Sequence, residues 1–259
     1  YEIRPRDWSS DVCSPIYYTD AEIVQNSENL GDNVPDDFKF ADIVAECTID
    51  IRHRFLQRVY LLLSTQLAMT SLLSGLLMYS EGFQNWALRN TWTVWVSAIG
   101  SFVFMMACMV LRRKYPWNVI LLTAFTLCES WLVGIVTCLS DTTAVLNAFI
   151  ITIIVFVGLS AFAIQTKYDF RSWRPYLGAF LFALFGVGIV SMFVQTNALD
   201  LTYSFIAVIL FSAFILVDTQ TIMNKFHPED IVPATIELYL DIINLFLNIL
   251  RILNSNDNN

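Results

Sequence analysis

The sequence predicts an all-α integral membrane protein with seven spans. Of its 259 residues, 56% are hydrophobic and only 15% are charged, whereas soluble domains carry about 25% charge. The apolar residues come in long blocks, each near the roughly 20 residues that a helix needs to cross the hydrocarbon core. A soluble core built from them would need about seven helices with almost no polar face. The net charge of −8 lies mostly in the N-terminal tail and the loops, and it disfavours a nucleic-acid partner. Cys13, Cys47, Cys108, Cys128 and Cys138 show neither CxxC nor ligand spacing. They read as packing residues, not as a disulfide scaffold or a zinc site.

Residues 1–51 are polar and rich in Asp, Asn and Ser, which predicts a disordered tail. The first long apolar run begins only near Val59, so no signal peptide is expected. Residues 52–253 form the transmembrane domain, and 254–259 a short polar tail. The first span, Val59–Ser80, is charge-free and follows Arg52, His53, Arg54 and Arg58. Its Thr65, Gln66 and Thr70 are expected to bond between helices. Glu81–Asn90 reads as a loop. Trp92 and Trp95 open the second span, Thr91–Leu111, as interface anchors. Arg112, Arg113, Lys114 and Pro116 close it.

The third span, Trp117–Leu139, carries one acid, Glu129, and the fourth, Thr142–Thr166, carries no charge. Pro175 is placed to start the fifth helix. The fifth span, Tyr176–Gln195, holds Gly178, Gly186 and Gly188, which predict close helix packing. Asn197–Asp200 reads as a tight connection. The sixth span, Leu201–Met223, and a seventh apolar segment, Ala234–Leu253, flank the polar turn NKFHPEDIVP. Lone His227 in that turn reads as solvated, with a role in pH response as the alternative.

Basic residues alternate from loop to loop, with three before span one, three after span two and three after span four. By the positive-inside rule this places the N-terminus and those loops in the cytosol.

Asp218 interrupts the sixth span, and Glu237 and Asp241 the seventh segment. Carboxylates inside a membrane are costly, so they mark function. Asp218 lies about 8 Å from the cytosolic end of its helix and Asp241 about 10 Å along the next. The two helices run antiparallel, so the aspartates can meet. Close carboxylates cannot both ionise cheaply; they share a proton and titrate as a pair. Such a pair is a latch that holds when protonated and loosens when deprotonated or when a cation arrives. The same two residues suit a weak, transient site for calcium, a hard cation that prefers oxygen ligands. Glu237, one turn from Asp241, reads either as a cation-attracting entrance or as an acid facing water. Glu129, about 18 Å into its span, lines a pathway or bonds a neighbouring helix. Arg112 and Arg113 can pair with the aspartates or serve only as positive-inside residues. No G-x-S-x-G, H-E-x-x-H or G-x-G-x-x-G motif is present. The acid motifs also differ from those of aspartyl intramembrane proteases, so no enzyme is expected.

The segments RHRFLQRVYLLLSTQL, RRKYPWNVILLTAFTLCES, FILVDTQ and ELYLDIINLFLNILRIL resemble the Bax inhibitor-1 (transmembrane BAX inhibitor motif) family, in its Lifeguard-like fungal branch. The likeness runs from about Phe38 to the C-terminus. It implies a seven-helix fold with the seventh helix central. It also implies a pH-sensitive calcium leak from intracellular stores and protection from cell death. Asp218 and Asp241 match the family's latch pair, and Arg112 and Arg113 are the candidates for its latch arginine. No tightly bound cofactor is implied, and calcium is the transported ion. The expected partners are the bilayer and Bcl-2-family or stress-signalling membrane proteins. The expected location is the endoplasmic reticulum, with the vacuole or mitochondrion as alternatives. A non-conducting adaptor and a proton-coupled cation exchanger are the other readings of the same chain.

Overall fold

Every described element is helical. The computed structural model describes residues 49–112, 114, 116–191, 193, 197–227 and 230–257. The polar tail to residue 48, Arg113, Cys13 and Cys47 lie outside them, and helix replaces the expected tail from Ile49. The helices are α1 (Ile49–Tyr79), α2 (Glu81–Arg89), α3 (Trp92–Val110), α4 (Trp117–Cys138), α5 (Thr142–Gln165), α6 (Arg174–Ser191), α7 (Asn197–Asn224) and α8 (Ile231–Asp257). A 3-10 turn, Arg171–Trp173, leads into α6, where Pro175 sits in the first turn.

Among the described residues, six helices are long and apolar enough to cross a membrane: α1, α3, α4, α5, α6 with its leading turn, and α7. Their outward faces expose large apolar side chains such as Val110, Tyr176 and Phe182. A soluble protein does not carry so extensive an apolar surface, and this is an integral membrane protein. The helix α8 is different. Between Ile231 and Ser255 only Arg251 is exposed. It packs against α7, α5, α1, α4 and α3, so it forms the axis of the bundle. Its polar residues are therefore surrounded by protein.

Three connections differ from the sequence expectation. Glu81–Asn90 is mostly helix, because the Ser80 hydroxyl caps α2 by accepting the Phe83 N–H at 3.4 Å. Trp86 and Phe83 of α2 then pack on Trp131 of α4, with ring centroids 6.1 and 5.7 Å away. Asn197–Asp200 already belongs to α7. The supposed C-terminal tail continues α8 to Asp257, and Asn254 donates to Ser140 Oγ at 2.7 Å.

Buried hydroxyls and amides join the helices. Gln66 Nε2 donates to Thr126 Oγ1 at 2.8 Å. Thr70 Oγ1 lies 2.9 Å from both Ser130 Oγ and Tyr239 OH, tying α1, α4 and α8 together. Thr65 does not join them, since it is exposed and bonds its own helix at Leu61 O. The glycines of α6 are also re-sorted. A Cβ on Gly178 or Gly186 meets nothing within 4 Å, and one on Gly188 meets Tyr203 OH at 3.2 Å. The closest approach is at Gly134 of α4, where a Cβ would strike Leu77 and reach Ser74 Cα of α1 at 3.7 Å.

Gly134→Leu is therefore expected to cost about 1–3 kcal/mol by overpacking, whereas Gly178→Leu is expected to be neutral. Thermal unfolding midpoints of the two variants in detergent check this. Equal midpoints would exclude a tight α1–α4 contact at Gly134.

Candidate functional site

The acids of α7 and α8 meet at one end of the bundle. The short connection between Asn224 and Ile231 forces the two helices antiparallel, and they pack closely. Asp218 and Asp241 are 4% and 6% exposed. Their carboxyl groups are within hydrogen-bonding reach of one another. Glu237, one turn before Asp241, stands beside them with its side chain 25% exposed.

Among the described residues, one cation serves this group. Arg174, the first residue of α6, places Nη1 3.4 Å from Asp218 Oδ1. Its Nη2 donates to Glu237 Oε1 at 2.8 Å. The guanidinium thus ties α6 to α7 and α8 together, using the planar fork that suits carboxylates. Even so, Asp218 Oδ1, Glu237 Oε2 and Asp241 Oδ2 are buried without a hydrogen-bond donor. Buried polar groups usually find partners, and those that do not call for a functional explanation. Among the described residues, three clustered acids share one guanidinium that bridges two of them, and they are short of donors.

Arg112 does not join the cluster. It pairs with Asp230 at 3.4 Å, at the start of α8. Arg113, the other candidate, lies outside the described residues. The counter-charge comes from Arg174, which in the sequence is only one of three basic residues in the loop after span four. Glu129 lies elsewhere, in α4, and accepts a hydrogen bond from Ser101 of α3. Among the described residues, no group of three or more His, Cys, Asp and Glu side chains is arranged to hold a metal ion.

Gln220, two residues after Asp218, is the other residue that sequence reasoning missed. It is 5% exposed and clamps the loop before α6. Its Oε1 accepts the Phe170 N–H at 2.8 Å. Its Nε2 donates to Tyr168 O at 2.8 Å and faces Ala163 O at 3.5 Å. Phe170 packs against Tyr168 and Trp173 at 4.7 and 5.5 Å. The clamp therefore fixes the segment that delivers Arg174. On the outer side of the same loop, Arg171 donates to both carboxylate oxygens of Asp169 at 2.8 Å. The Arg171 side chain holds the Asp169 carboxyl down to about 2. The stability from this depressed acid is present above the usual aspartate value of about 3.9. It fades only as the pH falls toward about 2. A response near neutral pH therefore does not come from this pair.

A family model described as Inhibitor of apoptosis-promoting Bax1 matches residues 52–258. Protein lifeguard 4 of Mus musculus is 37% identical over 221 residues, which cover 85% of this chain and 93% of that protein. Bax inhibitor 1 of Schizosaccharomyces pombe is 35% identical over 228 residues, covering 86% of each. The Golgi anti-apoptotic protein of Vaccinia virus (strain Lister) is 34% identical over 221 residues, covering 85% of this chain and 93% of that protein.

Gln220→Ala removes the acceptor of the Phe170 N–H. Losing one such buried bond weakens local protection by about 1–2 kcal/mol, so amide exchange at Phe170 is expected to rise about 5- to 30-fold. Gln220→Glu keeps the acceptor and is expected to fall between. Unchanged exchange at Phe170 in Gln220→Ala would show that Gln220 does not clamp the loop.

Proposed function

The chain belongs to the Bax inhibitor family, and from that premise we propose that it regulates cell death from an intracellular membrane through a pH-sensitive calcium leak gated by Asp218 and Asp241. One observation carries the reading. Three buried carboxylate oxygens, one from each acid, have no hydrogen-bond partner, and among the described residues Arg174 is the cation beside them, bridging Asp218 and Glu237. A permanent structural ion pair does not require that excess of acid.

When all three acids are ionised, one positive charge faces three negative ones. A proton between Asp218 and Asp241 relieves their repulsion and keeps α7 docked on α8. The protonation state of the pair thus sets how firmly the central helix is held. Calcium and Arg174 compete for the same oxygens. In the arrangement described, the guanidinium stands where a cation would bind. Release of the loop that carries Arg174 frees those oxygens for a hard cation. Two or three carboxylates bind it weakly enough for transit. In this reading α8 is the central seventh span, and the Arg174 end faces the cytosol with the N-terminus. The alternation of basic loops supports that orientation. The endoplasmic reticulum is the proposed membrane. The names of the relatives, which include an anti-apoptotic protein of the Golgi and Bax inhibitor 1, support a role in cell death beside Bcl-2-family or stress-signalling membrane proteins.

The test is calcium flux through purified protein in liposomes at about pH 6 and about pH 8, bracketing a coupled carboxylate pair. Flux above empty liposomes is expected to depend on pH in the wild type. Asp218→Asn and Asp241→Asn are each expected to flatten that dependence. No flux from folded, inserted protein would overturn the leak in favour of a non-conducting adaptor. Flux that requires a proton gradient would make the protein an exchanger.

A further inference from the structure

At the end of the bundle away from Arg174, an apolar groove of about 740 Å³ runs along the surface. Its long sides are α1 and α5, and Val133 of α4 with Ile242 and Phe246 of α8 lie behind it. Ser64 and Met78 mark its two ends on α1, about 21 Å apart along the helix axis. That exceeds the depth of one leaflet, which is about half of a 30 Å hydrocarbon core. Leu146, Phe149 and Ile153 on the α5 side are exposed, so the groove opens outward, toward lipid.

Six hydroxyl residues line the groove, and five are satisfied within their own helices. Ser64, Thr70, Ser71, Thr137 and Thr152 each donate to a backbone carbonyl three or four residues back. Ser74 is the exception. It is 8% exposed, and its buried Oγ has no hydrogen-bond partner. In a membrane a hydroxyl has no water to fall back on, and such a group is costly to leave unpaired. Ser74 lines the groove. None of the lining residues is charged, so the groove offers nothing to a phosphate or choline headgroup. It offers a long apolar channel and one free hydroxyl.

We propose that this groove binds a membrane sterol, with the sterol hydroxyl on Ser74 and the rings lying between α1 and α5. A sterol carries one hydroxyl at the end of a rigid apolar body about one leaflet long, which matches both features. Ser74 lies five residues before the end of α1 at Tyr79, about 8 Å in from that end. The sterol tail then runs toward the bilayer midplane. Gly75 supplies the means of closing the groove. It lines the groove, and a Cβ there meets nothing within 4 Å, so a larger side chain fills the channel without striking the bundle.

The experiment uses the full chain in phosphatidylcholine nanodiscs with a photoactivatable cholesterol analogue, and the labelled peptides are mapped by mass spectrometry. Label is expected on α1 and α5, displaced by excess cholesterol and not by added phosphatidylcholine. Ser74→Ala is expected to lower labelling about fivefold, the effect of one hydrogen bond. Gly75→Leu is expected to abolish it, and the exposed Gly178→Leu to leave it unchanged. Label elsewhere, displacement by phosphatidylcholine, cross-links to a second copy through the groove, or full labelling of Gly75→Leu would each overturn the proposal. Melting midpoints show which variants are folded. If Ser74→Ala does not fold, Gly75→Leu and the competition on the wild type still decide.

Discussion

The bridge from Arg174 to Asp218 and Glu237 is the contact on which the arrangement of the bundle depends. Asp218 and Asp241 are buried where water cannot solvate them, and charges taken out of water need partners. That requirement draws the start of α6 onto α7 and α8. It also explains why the loop before α6 is pinned so firmly. Gln220 sits on the same helix as Asp218 and holds the backbone of Tyr168 and Phe170, so the acid and the clamp that delivers its counter-charge move together. The bridge is incomplete, because among the described residues one oxygen of each of the three acids has no hydrogen-bond partner. An under-satisfied cluster of this kind is sensitive to a proton or a cation in a way that a balanced pair is not.

The central place of α8 follows from the same physics. In lipid the costly groups are polar, and the protected place for them is the interior. Glu237, Asp241, Asn244 and Asn248 interrupt the apolar run of α8. Wrapped by five other helices, they meet protein instead of hydrocarbon. Asn244 and Asn248 donate to Leu240 O and Asn244 O at 2.8 Å. Tyr239 bonds Thr70 at 2.9 Å, while its ring meets Phe125 edge-on at 5.9 Å. The remaining helices expose many large apolar side chains and bury hydroxyls such as Thr70, Thr126 and Ser130.

The apolar blocks make the helices legible in the sequence, because a membrane leaves few other ways to satisfy a backbone. The meeting of Asp218 and Asp241 is legible too. Their depths follow from residue counts, and the short turn between their helices fixes the direction. What is not legible depends on tertiary placement. Arg174 looks like any positive loop residue until α6 is seen to start beside Asp218. Arg112 ends its helix near the right level, yet Asp230 at the start of α8 captures it. Gln220 gives no signal beyond its nearness to Asp218, because its partners are backbone groups of a distant loop. The polar sequence EGFQNWALR reads as a loop, and it becomes α2 through the Ser80 cap and the aromatic contacts with Trp131.

The most direct measurement is a double-mutant cycle in detergent that combines Arg174→Gln with Asp218→Asn. Each single change leaves the other member of the Arg174–Asp218 contact without its partner, and the double change removes both sides of that contact. The double variant is expected to lose less stability than the two singles added, by about 0.5–3 kcal/mol. Additive losses would show that Arg174 and Asp218 act independently, and the bridge would not be what holds α6, α7 and α8 together.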